Sequence, residues 1–344
     1  MASASASTTA PTLRVENISV GFRRGGTLIP TVHDVSFFVR PGETLALVGE
    51  SGSGKSVTNL AMMQLTPPAP RTIVAGRALL TCKDGVARDL IAASREEIRA
   101  IRGNEIAMIF QEPMTSLNPV CAIGDQIAEA ILLHRKISRR QALRDAAELL
   151  NFVGIPDAAK RLSSYPHHLS GGMRQRVMIA MAISCQPRVI VADEPTTALD
   201  VTVQAQILDL LKKLQEQTGT AIIFITHNLG VVAEVADRVM VMYGGRLVEE
   251  ADLARLFERP LMPYTAALLN SVPRMDMAGR RDVVLDAICG SVPDPSHLPS
   301  GCAFHPRCNF FVVGRCDVSQ PPLDAVDEGR KVRCLRWREI WPPA

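Results

Sequence analysis

The stretch Gly49-Glu50-Ser51-Gly52-Ser53-Gly54-Lys55-Ser56 has the residue types and spacing of a phosphate cradle. Its glycines let backbone N–H groups turn inward around an anion. Lys55 supplies a charge that can reach β and γ phosphates, and the Ser56 hydroxyl can complete a Mg²⁺ shell. The spacing carries that meaning only between a strand and a helix. An apolar run, Thr44-Leu45-Ala46-Leu47-Val48, precedes it, and a helix is expected from Lys55 to about Leu65, stopping before Pro67-Pro68. A helix start there adds its positive dipole end to the cradle. The loop points to a nucleoside triphosphate with Mg²⁺.

Transfer of a γ-phosphoryl group to water needs a metal holder, a group that polarises the water, and groups that sense the γ-phosphate. Asp193 and Glu194 end the apolar run Val189-Ile190-Val191-Ala192. Asp193 is suited to hold Mg²⁺ and Glu194 to orient or deprotonate the water. His227 follows the run Ala221 to Ile225 and could hydrogen-bond the γ-phosphate. Gln111 follows Ile106-Ala107-Met108-Ile109-Phe110, and its neutral amide can touch Mg²⁺ or the water. Acids, glutamine and histidine at strand ends match the rule that ligands of open α/β sheets bind at the carboxyl ends of strands. Taken singly, each would read as a solvated turn or a structural side chain. A second anion-binding turn, Leu169-Ser170-Gly171-Gly172-Met173-Arg174-Gln175, opens another helix. One nucleotide has no room for two complete cradles in one chain, so this turn is expected to face a nucleotide on another subunit.

The elements that position these residues alternate. Leu13 to Val20 and Val32 to Val39 read as strands separated by Gly25-Gly26, and Ile73 to Thr81 reads as another. Glu96 to Arg102 has helical character. Helical spacing over Ile123 to Arg135 and Ser138 to Val153 marks an insertion between strand-rich segments. A helix from Val201 to Gln217 separates two apolar strands, and Met240 to Glu250 reads as strand, turn, strand around Gly244-Gly245. Short helices are expected near Asp252 to Phe257 and Tyr264 to Asn270, and beyond Ser271 the chain is proline-rich and loop-like. The pattern predicts an α/β fold with a mainly parallel sheet.

The chain has 344 residues, a net charge of +3 and 21% charged residues, so its charge balance offers no support for a nucleic-acid partner. No run reaches the roughly 18 apolar residues that a membrane-spanning helix needs. Residues 1 to 11 read as a disordered tail without the features of a secretory signal. The cysteines are therefore expected in a reducing cytosol, where clustered thiols more often bind metal than form disulfides.

The ordered set of phosphate loop, Gln111, L-S-G-G-M-R-Q, apolar strand to Asp193-Glu194, Thr197-Ala198-Leu199-Asp200 and His227 resembles the ATP-binding cassette family over about residues 12 to 258. The resemblance implies an N-terminal antiparallel subdomain, a helical insertion over about 112 to 185, and a head-to-tail dimer. In that dimer Ser170, Gly171, Gly172 and Asp200 of one subunit face ATP held by Lys55 and Ser56 of the other. Phe22 would stack on adenine, and Ser56, Gln111 and Asp193 would serve Mg²⁺.

Within the family, the segments Gln111 to Pro119, Tyr165 to Leu169 and Asp193 to Thr202 look like the ATP-binding subunits of dipeptide and oligopeptide importers; nickel and glutathione importers share them. This implies an energy-coupling ATPase on the cytoplasmic face of the membrane. Its partners would be a second ATPase subunit, two permeases and, indirectly, an extracytoplasmic solute-binding protein, with no nucleic acid. The segment after Gln111 would line a groove for a permease helix. A soluble cassette acting on nucleic acid or ribosomes is the rival, but this chain lacks the fused second cassette and strongly basic segments usual there. Residues 259 to 344 resemble the C-terminal extension of the importer subunits. Leu261-Met262-Pro263-Tyr264-Thr265 matches its H-P-Y-T segment, with Met262 where histidine is usual. Cys302, Cys308, Cys316 and Cys334 resemble tail cysteines that hold a [4Fe-4S] cluster in some of these subunits. Four thiolates also suit zinc, and free thiols are the third reading.

Overall fold

The computed structural model describes residues 10–197, 199–271 and 288–342. Most of the expected N-terminal tail, and Ala198, lie outside them. The chain opens with β1 (Leu13–Arg24), β2 (Thr27–Val39) and β3 (Thr44–Val48), which feeds a loop into α1 (Lys55–Met62). Then come β4 (Thr72–Thr81), β5 (Ala87–Asp89), α2 (Arg95–Ile101) and β6 (Ile106–Ile109). Four helices follow, α3 (Pro113–Ser116), α4 (Ile123–Leu132), α5 (Arg139–Phe152) and α6 (Ala158–Arg161), before α7 (Gly171–Ile183) and β7 (Val189–Asp193). The next elements are α8 (Val201–Thr218), β8 (Ala221–Thr226), α9 (Leu229–Val235), β9 (Arg238–Tyr243) and β10 (Arg246–Asp252). The remaining elements are α10 (Leu253–Glu258), α11 (Pro263–Asn270), β11 (Asp324–Asp327), β12 (Arg330–Val332) and α12 (Trp337–Ile340).

One sheet has the order β2-β1-β4-β5, and the other has the order β11-β12-β10-β9-β3-β8-β7-β6. In the larger sheet β3 and β9 run parallel, as do β6 and β7, whereas β9, β10, β12 and β11 pair antiparallel in turn. The expected parallel sheet is thus present with an antiparallel edge. Two of that edge's strands lie in the tail that reads as loop. β11 and β12 have four and three residues, too few for a periodicity to show, and β12 exists because Val332 pairs with Glu249. α1 is also shorter than expected, because Gln64 takes a left-handed φ of 51° that a continuing helix cannot accommodate.

The chain divides into two compact units. The first comprises Met1–Arg14, Phe38–Glu43 and Ala78–Ile223. Its parallel pair is in register from Ile106 opposite Val189 to Ile109 opposite Ala192, and all of these side chains except Met108 are buried. A strand buried on both faces must be apolar throughout, which is why β7 is an unbroken run rather than an alternation. Helix starts are set by side chains that satisfy orphan N–H groups. Ser94 caps α2 in a reciprocal box with Glu97, Ser138 caps α5, and Asp200 caps α8. α4, α5 and α7 pack on one another through Ile127, Ile131, Ala142, Ala146, Leu150, Val177 and Ile179.

The second unit comprises Val15–Phe37, Thr44–Arg77 and Phe224–Ala344. Here β3 is in register with β9, Leu45 opposite Arg238 and Val48 opposite Val241. Its core runs from Ala46, Val48, Val239 and Val241 to Tyr243, Tyr264, Phe304 and Val332, so residues of the C-terminal extension are part of the packing that supports β3.

Candidate nucleotide site

In the second unit, the phosphate loop leaves β3, whose five residues are all buried, at Gly49. Gly49 has φ 150°, and a Cβ there would stand 2.3 Å from the Met242 carbonyl oxygen, so no other residue fits. The loop curls around its own lysine. Lys55 is 5% exposed, and its ammonium donates to the Gly49 carbonyl at 2.6 Å, the Glu50 carbonyl at 2.9 Å and Ser53 Oγ at 3.4 Å. A charge that deep needs these partners. α1 begins at Lys55, with Ser56 half-buried in its first turn. A buried ammonium, a glycine-rich loop and a helix start are the groups from which a polyphosphate site is built. Phe22 sits half-buried near the end of β1, and His227 is exposed directly after β8.

Glu50 is the loop's first residue with a functional side chain, and residues far along the chain hold it. Its N–H donates to the Tyr264 hydroxyl at 2.9 Å, and its carboxylate receives both Arg307 Nη groups at 2.7 and 2.9 Å. This pair holds the Arg307 guanidinium well above its ordinary range. Burial pushes the Tyr264 phenol up, so it stays protonated.

In the first unit, β6 and β7 deliver Gln111 and the acidic pair to one end of a parallel pair. Asp193 closes β7 at 7% exposure. Glu194 takes φ 46°, a left-handed conformation that costs a non-glycine residue about 1 kcal/mol or more. Strain of that kind persists only where the surrounding structure holds it. The Glu194 carboxylate is held by two donors to the same oxygen: Gln111 Nε2 at 3.0 Å and Thr197 Oγ1 at 2.9 Å. Thr197 was expected only as part of a motif, and its grip on the carboxylate has no signature in residue type or spacing.

The turn at Leu169 to Gln175 opens a helix, as its sequence predicts. Ser170 caps α7, its Oγ accepting the Met173 N–H at 3.3 Å, and both Ser170 and Gly171 are exposed. At Gly172 a Cβ would meet Val203 Cγ1 at 2.7 Å. Asp200, also exposed, accepts the Val203 N–H at 2.9 Å as the cap of α8.

Cys302, Cys308, Cys316 and Cys334 line a single cavity with Met262, Phe304, Phe310 and Leu335. Burial raises the Cys302 thiol to about 11 and the Cys334 thiol to about 12, and the neighbouring thiols push the same way. Among the described residues, no group of three or more His, Cys, Asp and Glu side chains is arranged to hold a single metal ion. Cys82 and Cys185 are buried in the first unit, and Cys289 is exposed.

The chain matches the family model described as ABC transporter over residues 32–197, and that of the oligopeptide/dipeptide transporter C-terminal region over residues 248–316. It is 55% identical over 333 residues to a putative peptide import ATP-binding protein of Brucella abortus, spanning 96% of this chain and 98% of that one. To the oligopeptide transport ATP-binding protein of Bacillus subtilis it is 50% identical over 327 residues, spanning 95% and 97%. A dimeric ATP-binding cassette solved in a post-hydrolysis state with ADP and Pi superposes with a TM-score of 0.61 at 26% identity, covering 70% of this chain and 98% of that one.

Proposed function

The chain belongs to the ABC transporter family, as an ATP-hydrolysing subunit of a peptide importer, and we propose how its residues divide that work. Gly49 to Gly54 cradle the phosphates with backbone N–H groups, Lys55 pairs with the β and γ phosphates, and Phe22 stacks on the adenine. Glu194 orients the attacking water and takes its proton, while His227 hydrogen-bonds the γ-phosphate. Ser56, Asp193 and Gln111 are the residues that would hold Mg²⁺, which would supply charge neutralisation for the phosphates. Ser170, Gly171, Gly172 and Asp200 face a nucleotide bound by a second cassette subunit in a head-to-tail dimer. Among the described residues no helix is long and apolar enough to cross a membrane. Coupling to transport runs through separate permease chains that this subunit meets at the cytoplasmic face, and the exposed Met114 and Val120 beside Gln111 are suited to dock one of them. Solute choice rests with those permeases and an extracytoplasmic binding protein.

One observation carries the assignment of Glu194: its carboxylate stands at the end of a buried strand in a strained conformation, gripped by Gln111 and Thr197. The test is Glu194→Gln. ATP affinity should persist while phosphate release falls by about 10²–10⁴-fold, the usual contribution of a positioned base. Unchanged turnover would remove Glu194 from this role.

A [4Fe-4S] cluster suits the four tail thiols better than zinc. Four soft thiolates are ligands that either group accepts, and their spacing along the chain lacks the C-x2-C pair of zinc fingers. The supporting observation is that Cys302, Cys308, Cys316 and Cys334, from four separate chain positions, line one apolar-walled cavity. The cluster would tie the chain at Cys302, Cys308 and Cys316 to the chain at Cys334.

A further inference from the structure

Glu50 is fixed at three points. Its carbonyl accepts from Lys55 at 2.9 Å, its N–H donates to Tyr264 at 2.9 Å, and its carboxylate is gripped bidentately by Arg307. The first contact belongs to the phosphate loop itself. The other two come from residues 214 and 257 positions further along the chain. Neither of these partners is free to wander. Tyr264 is fully buried, with its ring 4.6 Å from that of Tyr243 and 5.2 Å from that of Phe304. The Arg307 side chain is 5% exposed, donates through Nε to the Cys289 carbonyl at 2.9 Å, and lies over the Tyr243 and Phe304 rings.

A phosphate cradle works by keeping its N–H groups aimed inward before the anion arrives, because ordering the loop on binding would be subtracted from affinity. A carboxylate in that cradle is also an electrostatic liability, since it repels a triphosphate unless it is neutralised. Arg307 answers both needs: its planar fork fixes the direction of the carboxylate and cancels its charge. We propose that Arg307 and Tyr264 are positioning residues for the ATP site, holding the phosphate loop in its binding conformation through the side chain and N–H of Glu50. The C-terminal extension is then part of the nucleotide site in function as well as in packing. This inference rests on the reading of the loop as the ATP site.

The test measures ATP affinity by equilibrium titration, KM and kcat by phosphate release, and thermal stability, on the full chain. Arg307→Ala should raise the Kd and KM for ATP about tenfold or more, with kcat at saturating ATP within about twofold of the parent. That split is expected when binding common to ground and transition states is lost. Tyr264→Phe keeps the ring packing and should raise KM by a smaller factor. Arg307→Lys keeps the charge without the fork and should fall between parent and alanine variant, which covers the case in which Arg307→Ala folds poorly. Adding Glu50→Gln to Arg307→Ala should weaken ATP binding no further, because both changes break one interaction. Unchanged Kd and KM in Arg307→Lys and Tyr264→Phe, with only thermal stability lowered, would reduce these contacts to fastening of the tail and overturn the proposal. Lys55→Ala is the control for the underlying reading: if it leaves ATP binding intact, the loop is not the ATP site and the failure lies there.

Discussion

Thr197→Val removes one donor from the Glu194 carboxylate and almost nothing else. Valine has the shape of threonine, and Thr197 is exposed, so no cavity opens and no core contact is lost. The lost interaction is the 2.9 Å hydrogen bond from Oγ1 to Oε2, the oxygen that Gln111 also contacts at 3.0 Å. A hydrogen bond to a charged group contributes about 1.5–3 kcal/mol when shielded. Here water can replace the hydroxyl, so the net loss should be near or below the lower end, about 1 kcal/mol. If the bond acts by aiming the carboxylate at the attacking water, that loss appears in the barrier, and about 1 kcal/mol is roughly a fivefold fall in kcat. The KM for ATP should not move, because the contact does not bind nucleotide. Steady-state phosphate release at saturating MgATP reads both quantities, and Thr197→Ser, which keeps the donor, should retain most of the rate. An unaltered kcat in the valine variant, or an equal fall in the serine variant, would refute the idea that Thr197 aims the carboxylate.

Two further expectations follow from strain and burial. Glu194→Gly should be more stable than Glu194→Ala, by about 1 kcal/mol or about 2 °C in Tm, because glycine takes φ 46° without the penalty an L side chain meets; equal Tm values would mean the conformation is not strained. The raised Cys302 and Cys334 thiols predict how fast each is labelled. At pH 8 a thiol at about 11 is ionised to about one part in 10³, against roughly a quarter for an ordinary thiol. Alkylation followed by mass spectrometry should therefore modify Cys302 and Cys334 slowly at pH 8 and accelerate about tenfold per pH unit up to about pH 10. Protein isolated anaerobically should carry about four iron atoms per chain and protect the four tail thiols, and labelling of all thiols at one rate would contradict both the burial and the cluster.

The parts of the site that were legible in the sequence are those whose meaning is local. A cradle needs glycines, a lysine and a hydroxyl within eight residues, so the loop from Gly49 to Ser56 declares itself. The turn at Ser170 does the same, a serine followed by two glycines at a helix start. The apolar runs before Gln111 and Asp193 are those of strands buried on both faces. What could not be read is what depends on pairing across distance. β5, β11 and β12 have three or four residues each and owe their form to a partner. The carboxylate of Glu50 and the guanidinium of Arg307 meet across 257 positions, and an arginine between two cysteines carries no sign of its destination. Tyr264 was visible as part of a family segment, but the N–H it receives was not.

The pairing of β12 with β10 also bears on how the chain is made. Glu249 lies opposite Val332, so 83 residues (332 minus 249) must leave the ribosome after Glu249 before this ladder can close. At about 5–20 residues per second that is about 4–17 s during which β10 presents an unpaired edge. Open edges recruit other strands, and nascent chains of one message are close neighbours. Once β12 has paired, the outermost strand is the four-residue β11, with Asp324 at one end and Asp327 at the other. A short, acidic edge repels a further strand. The last-made part of the sheet thus ends the period in which the chain is most exposed to wrong partners.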